Sequence, residues 1–423
     1  MKRFPELSAT CIMPKLTLKL IVLLMTGGVI AGLVGIALIT LLHQIQQAVY
    51  AISRTDGVTF RIMVEQTSGI HRFLALLSCG VIGGLGWWLM HRFLPKLVEI
   101  KKAISSAATP LPFCTTLLHG LLQIVTVGMG SPLGRESAPR EISSALMEQC
   151  IRRLHLSSDE RKLLLACTAA AGLAAVFDVP LAGALFALET LLISFHFTAV
   201  IAALICCTIA AWVGSLALGG MPTYHLPELH LNQALLLWAV LLGPIIAISS
   251  WLLQRQLRAC QPKNRQNPQQ IFISIVAFSL IGMLSIWLPE ILGNGKAGNE
   301  LSFADAITWR YALALLIGKW LAVLLASRGG AYGGFITPSM MLGSMLALIL
   351  ACLWNSALPE ISTIAACIIG ACVFLAVQQK MPVTAIVFIV EITEVTPHII
   401  MPIMLCLLSA LPTQTYLQKI SSS

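Results

Sequence analysis

Long apolar stretches separated by short polar connections dominate the chain. The first stretch, residues 20–42, reads LIVLLMTGGVIAGLVGIALITLL. The following windows contain no Asp, Glu, Lys or Arg: 111–130, 198–222, 231–254, 271–289, 337–359 and 361–379. A helix that crosses a bilayer needs about 20 predominantly apolar residues. The pattern therefore predicts an all-α polytopic membrane protein.

The composition agrees with this class, because 57% of the residues are hydrophobic and only 11% are charged. A soluble domain carries about 25% charged residues. Four Lys or Arg residues precede the first apolar stretch with only Glu6 opposing them, and residues 253–270 hold four more without an acid. Basic connections of this kind indicate the cytoplasmic side of a membrane rather than nucleic-acid binding. We expect cytoplasmic termini in a bacterial inner membrane, and no C-terminal regulatory domain.

The residues that bind metals or carry covalent catalysis are scattered. The twelve cysteines and nine histidines form neither CxxC nor HExxH, so we expect no metal and no cofactor. An intramembrane enzyme could use Ser131 as nucleophile with His119 as base. Because nothing in the sequence supplies a third, orienting group, we expect a protein that is not an enzyme.

Two short blocks recur in the same order. Residues 134–139 read GRESAP and residues 333–338 read GGFITP, with the same spacing from glycine to proline. Residues 180–189 (PLAGALFALE) and 382–391 (PVTAIVFIVE) share Pro, Phe and Glu at the same offsets. The separations, 199 and 202 residues, are nearly equal. We therefore predict two inverted repeats, 1–222 and 223–423, in which many helices are tilted and partly broken.

The glycine-rich blocks have the form of helix starts, since each places a proline within the first turn of an apolar segment. Breaks at membrane depth leave backbone N–H groups unpaired, and these are tolerated only inside protein or along a wet cavity. Helix N-termini offer those N–H groups with partial positive charge, so the natural ligand is an anion. Kinks that serve only packing are the alternative for either block taken alone.

These residues resemble the CLC family of chloride channels and chloride/proton antiporters. GRESAP (134–139), GGFITP (333–338) and AAAGLAAVFDVPLAGALFALE (169–189) are similar to the family's signature regions in order and spacing. The resemblance implies about eighteen helices in two inverted halves. It also implies a homodimer in which each subunit has its own anion pathway.

The resemblance assigns roles by position. Glu136 would be the gating glutamate, and the amides of Ser137, Phe335 and Ile336 would bind the anion. Capping a helix or pairing with Arg135 is the other reading of Glu136. The residues that would support the two loops are Gly134, Arg135, Pro139, Gly333, Gly334 and Pro338.

Three features of the family are missing. Arg92 or a neighbour lies near the place of a serine that contacts the central anion, and Pro397 lies near the place of a tyrosine. Thr190 replaces the glutamate that relays protons in antiporters. These departures favour passive chloride conduction, with a proton-coupled chloride or fluoride antiporter as the alternative and a non-transporting scaffold as a further one.

Overall fold

The computed structural model describes residues 14–50, 59–105, 109–218, 224, 226–227, 229 and 231–422. Within these residues it contains seventeen α-helices. They are α1 (Leu18–Tyr50), α2 (Phe60–Gln66), α3 (Gly69–Phe93), α4 (Ile100–Ser105), α5 (Phe113–Gly128), α6 (Ser137–Ile151), α7 (Ser158–Phe177), α8 (Pro180–Phe186), α9 (Phe197–Leu218), α10 (Gln233–Cys260), α11 (Gln269–Trp287), α12 (Lys296–Phe303), α13 (Trp309–Arg328), α14 (Ile336–Asn355), α15 (Thr363–Gln379), α16 (Pro382–Thr393) and α17 (Ile400–Ser422). A π-helical turn (Ala187–Leu192) extends α8, and a 3-10 turn (Pro397–Ile399) precedes α17.

Eight of the described helices are long and apolar enough to cross a membrane. The predicted all-α, multi-pass class is therefore confirmed. The first span is longer than the predicted 20–42, since α1 runs from Leu18 to Tyr50. The basic residues Lys2 and Arg3, and the predicted boundary at 222, lie outside the described residues.

The start of α1 and several connections lie at one side of the bundle, which we name the N-terminal face. Lys19 donates to the carbonyl of His155 between α6 and α7, and Arg161 at the start of α7 donates to the carbonyl of Ala103 in α4. Gln266, between α10 and α11, donates to the carbonyl of His91 at the end of α3. This face therefore gathers the ends of α3, α6 and α10.

Helices α6 and α14 run in opposite directions. Helix α6 ends beside His155 at the N-terminal face. The end of α13 reaches the same face, because Gln270 donates to the carbonyl of Arg328. Helix α14 ends at the other side, where Thr363 binds the carboxylate of Asp305, before the start of α13.

Helices α7 and α15 form the interior. All residues of α7 from Leu163 onward and all residues of α15 from Ala365 to Val377 are buried. Both stretches are rich in Ala, Cys and Gly, whose small side chains let neighbouring helices approach closely. Short helices are thereby enclosed in protein, where a broken backbone is tolerated at membrane depth.

The same backbone turn ends α7 and α15. Asp178 ends α7 and Lys380 ends α15, both with a left-handed backbone, φ +56° and +57°. Each is followed two residues later by the proline that opens α8 or α16. A left-handed conformation is costly for a residue with a side chain, so the tertiary structure must impose the same sharp turn at both places.

Candidate anion-binding site

The two glycine-rich loops pair with each other. Gly134 and Gly334 form an isolated antiparallel bridge in which each amide donates to the other's carbonyl at 2.8 Å. Helix α6 begins three residues after Gly134, and α14 begins two residues after Gly334. The bridge therefore holds the N-termini of two helices against one point.

The carboxylate of Glu136 occupies that point. Its Oε1 accepts a hydrogen bond from the amide of Ile336 at 2.5 Å, and the side chain is completely buried. Its Oε2 has no hydrogen-bond partner among the described residues. A Cβ added at either Gly134 or Gly334 would collide with this carboxylate. Glycine is thus required at both positions for the carboxylate to lie there.

The residues before and after Glu136 border two hollow regions. A cavity of about 470 Å³ on the side of the N-terminal face reaches Ser137 and Gly333, and we name it the vestibule. A narrow crevice on the other side reaches Arg135 and Thr337. Residues 135 and 137 thus border different spaces, and the buried Glu136 is not among the residues that line either of them.

Arg140 supports this arrangement, although its sequence position did not single it out. Its Nε donates to the carbonyl of Glu136 at 2.9 Å, and its guanidinium also donates to the Ser137 hydroxyl at 3.0 Å. The group lies over the ring of Phe186. Arg135 instead lies over the ring of Phe177, 5.6 Å from its centre. The one available signal for Arg140 is its position one turn after Glu136.

The remaining residues of the two loops lie as helix starts require. Phe335 caps α14, and its carbonyl accepts from the amide of Ser339. Pro139 and Pro338 are each the third residue of their helix, where a missing N–H costs no hydrogen bond. Gly333 packs so closely that a Cβ would lie 2.6 Å from that of Leu133.

Two of the substituted positions lie away from the site. Arg92 is exposed at the end of α3, and its neighbour His91 borders the vestibule instead. Pro397 opens the 3-10 turn before α17 and lines neither the vestibule nor the crevice.

Thr190 lies in the π-helical turn and borders a separate cavity of about 490 Å³ together with Lys101 and Asp159. This cavity shares no bordering residue with the vestibule. The structure also shows no hydrogen bond between Ser131, considered above as a nucleophile, and its candidate base His119. The Ser131 hydroxyl has no hydrogen-bond partner among the described residues, whereas Nδ1 of His119 lies 2.8 Å from Glu141.

Two other acidic residues bind helix starts reciprocally. Glu189, after α8, accepts from the amides of Val383 and Thr384 at the start of α16. Glu391, in α16, accepts from the amides of Leu181 and Ala182 at the start of α8. The residues that matched in the sequence comparison therefore cap each other's helices. The described residues contain no cluster of His, Cys, Asp or Glu suited to a metal ion.

Comparison with known families shows to which family the chain belongs. The family model described as voltage gated chloride channel matches residues 75–414. The chain belongs to the CLC family. It is therefore an anion-transport protein with the family's all-helical fold.

Curated relatives cover most of the chain. The H(+)/Cl(-) exchange transporter ClcA of Vibrio cholerae is 28% identical over 407 residues, covering 90% of this chain and 83% of the relative. The voltage-gated ClC-type chloride channel ClcB of Citrobacter koseri is 27% identical over 330 residues, covering 74% and 78%.

Solved structures agree in fold. A slow cyanobacterial Cl-/H+ antiporter superposes with a TM-score of 0.80 at 20% identity, covering 95% of both chains. A CLC-type fluoride/proton antiporter superposes with a TM-score of 0.73 at 18% identity, covering 94% of this chain and 96% of the other.

Proposed function

We propose that the protein exchanges chloride for protons across a bacterial inner membrane, and that Glu136 is both the gate and a proton carrier. The observation that carries the proposal is the Glu136 carboxylate on the amide of Ile336, in the place that an anion would occupy. A carboxylate and a chloride ion compete for the same N–H donors, so each excludes the other.

Competition of this kind couples the two ions. When Glu136 is ionised, its carboxylate can take the amide position and block the pathway. When it takes up a proton, its attraction to the helix N-termini weakens and an anion can replace it. An ionisable side chain at membrane depth is costly, which is why such residues usually serve transport.

The relatives support exchange more strongly than the passive conduction expected from the sequence. ClcA is named as an exchange transporter, and both structural neighbours are titled as proton antiporters. Passive conduction remains the second candidate, because ClcB is named as a channel and Thr190 carries no proton.

Reconstituted liposomes provide the test. An outward chloride gradient should drive protons inward against their own gradient in the wild-type protein. Glu136→Ala should abolish proton movement while chloride still passes. Chloride flux without proton movement in the wild type would support the channel instead. Chloride flux and coupling unchanged by Glu136→Ala would contradict the role of this residue. Fluoride in place of chloride, in the same assay, distinguishes the fluoride alternative.

The N-terminal face is proposed to be cytoplasmic. It carries the basic connection 253–270, which has no acid. The described charged side chains at the other side include the acids Glu65, Glu290, Glu300, Asp305 and Glu360 and the bases Arg61, Arg72, Lys296 and Arg310, so that side has no excess of Lys and Arg. An excess of Lys and Arg marks the cytoplasmic side. Both termini would then be cytoplasmic, since α17 runs parallel to α10.

The two halves, 1–222 and 223–423, are proposed to be inverted repeats. Three observations support this division. Helices α6 and α14 run in opposite directions, and the same left-handed turn occurs at Asp178 and Lys380. Glu189 and Glu391 cap each other's helices.

A homodimer is also proposed. Glu391 is only partly buried, and its partner amide at Leu181 lies at the exposed edge of α8. Exposure of a carboxylate to lipid is costly, and a second copy would cover this edge. Cross-linking between copies through a cysteine at Leu181, in membranes, tests the contact.

A further inference from the structure

The vestibule contains a cluster of polar side chains that the proposed gate does not use. We name it the vestibule cluster: Glu141 of α6 with His119 and Gln123 of α5. The Glu141 carboxylate lies 2.8 Å from Nδ1 of His119 and 3.1 Å from Nε2 of Gln123. The side chain of His119 is 3% exposed and that of Glu141 is 21% exposed, so the cluster joins the protein interior to the cavity.

The short contact between Glu141 and His119 requires a shared proton. An imidazole nitrogen and a carboxylate oxygen at this distance repel unless one of them carries hydrogen. Nε2 of Gln123 also lies 2.8 Å from Nδ1 of His119. Glu141 is the more exposed member of the pair, so it is the group that can exchange a proton with the cavity. The second ring nitrogen of His119, Nε2, is buried without a partner among the described residues.

The cluster lies one helical turn from the gate. Ser137 and Glu141 are four residues apart on α6 and both border the vestibule. One turn of helix rises about 5.4 Å, so Glu141 lies one turn closer to the N-terminal face than the loop that carries Glu136. The vestibule thus extends from Glu141 to Ser137, the neighbour of the buried Glu136. A proton relay requires water to complete the path from there to the Glu136 carboxylate.

We propose that protons travel between the cytosol and Glu136 through the vestibule cluster, with Glu141 as the relay, and not past position 190. A proton leaves an oxygen of Glu141, crosses through water to an oxygen of Glu136, and is replaced from the cytosol. No other bond changes. Protons and anions then share the vestibule on the cytoplasmic side. The relay rests on the proposed exchange function and deepens it.

The charges around the cluster are compatible with a relay. Tyr332 packs edge-on against the ring of His119, and its hydroxyl lies 3.1 Å from Nε2 of His91. Arg265 stacks on Tyr332 at 4.2 Å, which brings a cation to the same wall. Lys96 and Glu99 border the mouth. On α6 itself, Arg140 donates hydrogen bonds to Glu136 and Ser137 and also interacts electrostatically with Glu141.

Position 190 offers no comparable route. Thr190 borders the separate cavity, and its hydroxyl is buried without a partner among the described residues.

The test is chloride-driven proton uptake in liposomes containing the full-length Glu141→Gln protein. Glutamine keeps the shape of the side chain but cannot relay a proton, so proton uptake should fall about tenfold or more. Chloride efflux in the presence of a potential shunt should persist, which also shows that the variant is folded. Glu141→Asp should restore part of the proton uptake. Glu99→Gln, which neutralises another carboxylate of the vestibule, is the matched control and should retain coupling.

Each of the other possible results contradicts either the relay or the exchange function. If the wild type pumps protons and Glu141→Gln pumps them equally well, the relay is wrong and the exchange function stands. If a monodisperse Glu141→Gln protein loses both fluxes, Glu141 is structural and the relay is again wrong. If the wild type moves chloride but no protons, the exchange function fails and the relay fails with it.

Discussion

Three carboxylates accept hydrogen bonds from helix starts in two different ways. Glu189 and Glu391 each use both oxygens to accept amide hydrogens at the start of a helix. Glu136 accepts one such hydrogen bond, and its second oxygen has no partner among the described residues. A buried carboxylate whose two oxygens both accept hydrogen bonds is stable in its position. A buried carboxylate with one oxygen unbonded loses the free energy of hydration of that oxygen without replacement. The first kind suits a fixed helix cap and the second suits a group that leaves its place.

The largest effect is expected when the space in which the Glu136 carboxylate lies is filled. Gly334→Ala places a methyl group where the carboxylate lies, so Glu136 should no longer reach the amide of Ile336. We expect proton coupling to be lost and chloride turnover to change strongly, measured as paired proton and chloride fluxes. Gly329→Ala is the control, since a Cβ there would lie no closer than 3.4 Å to other atoms. Coupling retained in Gly334→Ala would contradict the assignment of this position to the gate.

The next largest effect is a difference in the free energy of unfolding when each kind of carboxylate is replaced. Glu391→Ala leaves the amides of Leu181 and Ala182 without their acceptor, so the free energy of unfolding should fall by about 1–3 kcal/mol. Glu136→Gln removes a buried charge whose Oε2 has no partner and should leave stability equal or higher. Thermal unfolding in detergent, followed by tryptophan fluorescence, measures both. A larger loss for Glu136→Gln than for Glu391→Ala would reverse the comparison.

A smaller effect is expected at Arg140, which supports the loop of the proposed gate. Arg140→Lys retains the charge but cannot contact both the Glu136 carbonyl and the Ser137 hydroxyl in the same forked geometry. Initial chloride efflux should fall by about threefold, with coupling retained. Arg152→Lys, at the exposed end of α6, serves as the control. An unchanged rate would mean that the loop holds its shape without Arg140.

The smallest effect is expected at position 190. Thr190→Val removes a hydroxyl that has no partner among the described residues and keeps a similar shape. The ratio of protons to chloride, obtained from the reversal potential, should stay as in the wild type. A lowered ratio would indicate that protons pass this position after all.

The sequence alone determined the membrane class, since apolar stretches of the required length need no tertiary information. It also identified the two glycine-rich blocks and Glu136, because a carboxylate among glycines and prolines in an apolar chain is visible in the order of residues. The match of Glu189 with Glu391 was visible as spacing. That each caps the other's helix was not, because the two lie 202 residues apart.

Only the tertiary structure decided how these parts meet. The bridge between Gly134 and Gly334, and the amide of Ile336 that holds Glu136, join opposite halves of the chain. The vestibule cluster likewise combines α5 with α6, and neither His119 nor Glu141 belongs to a recognisable motif. Contacts between distant segments depend on helix packing, which local residue patterns do not specify. The sequence thus identified Glu136 as the candidate gate, and the fold supplied the groups that hold its carboxylate and the relay proposed beside it.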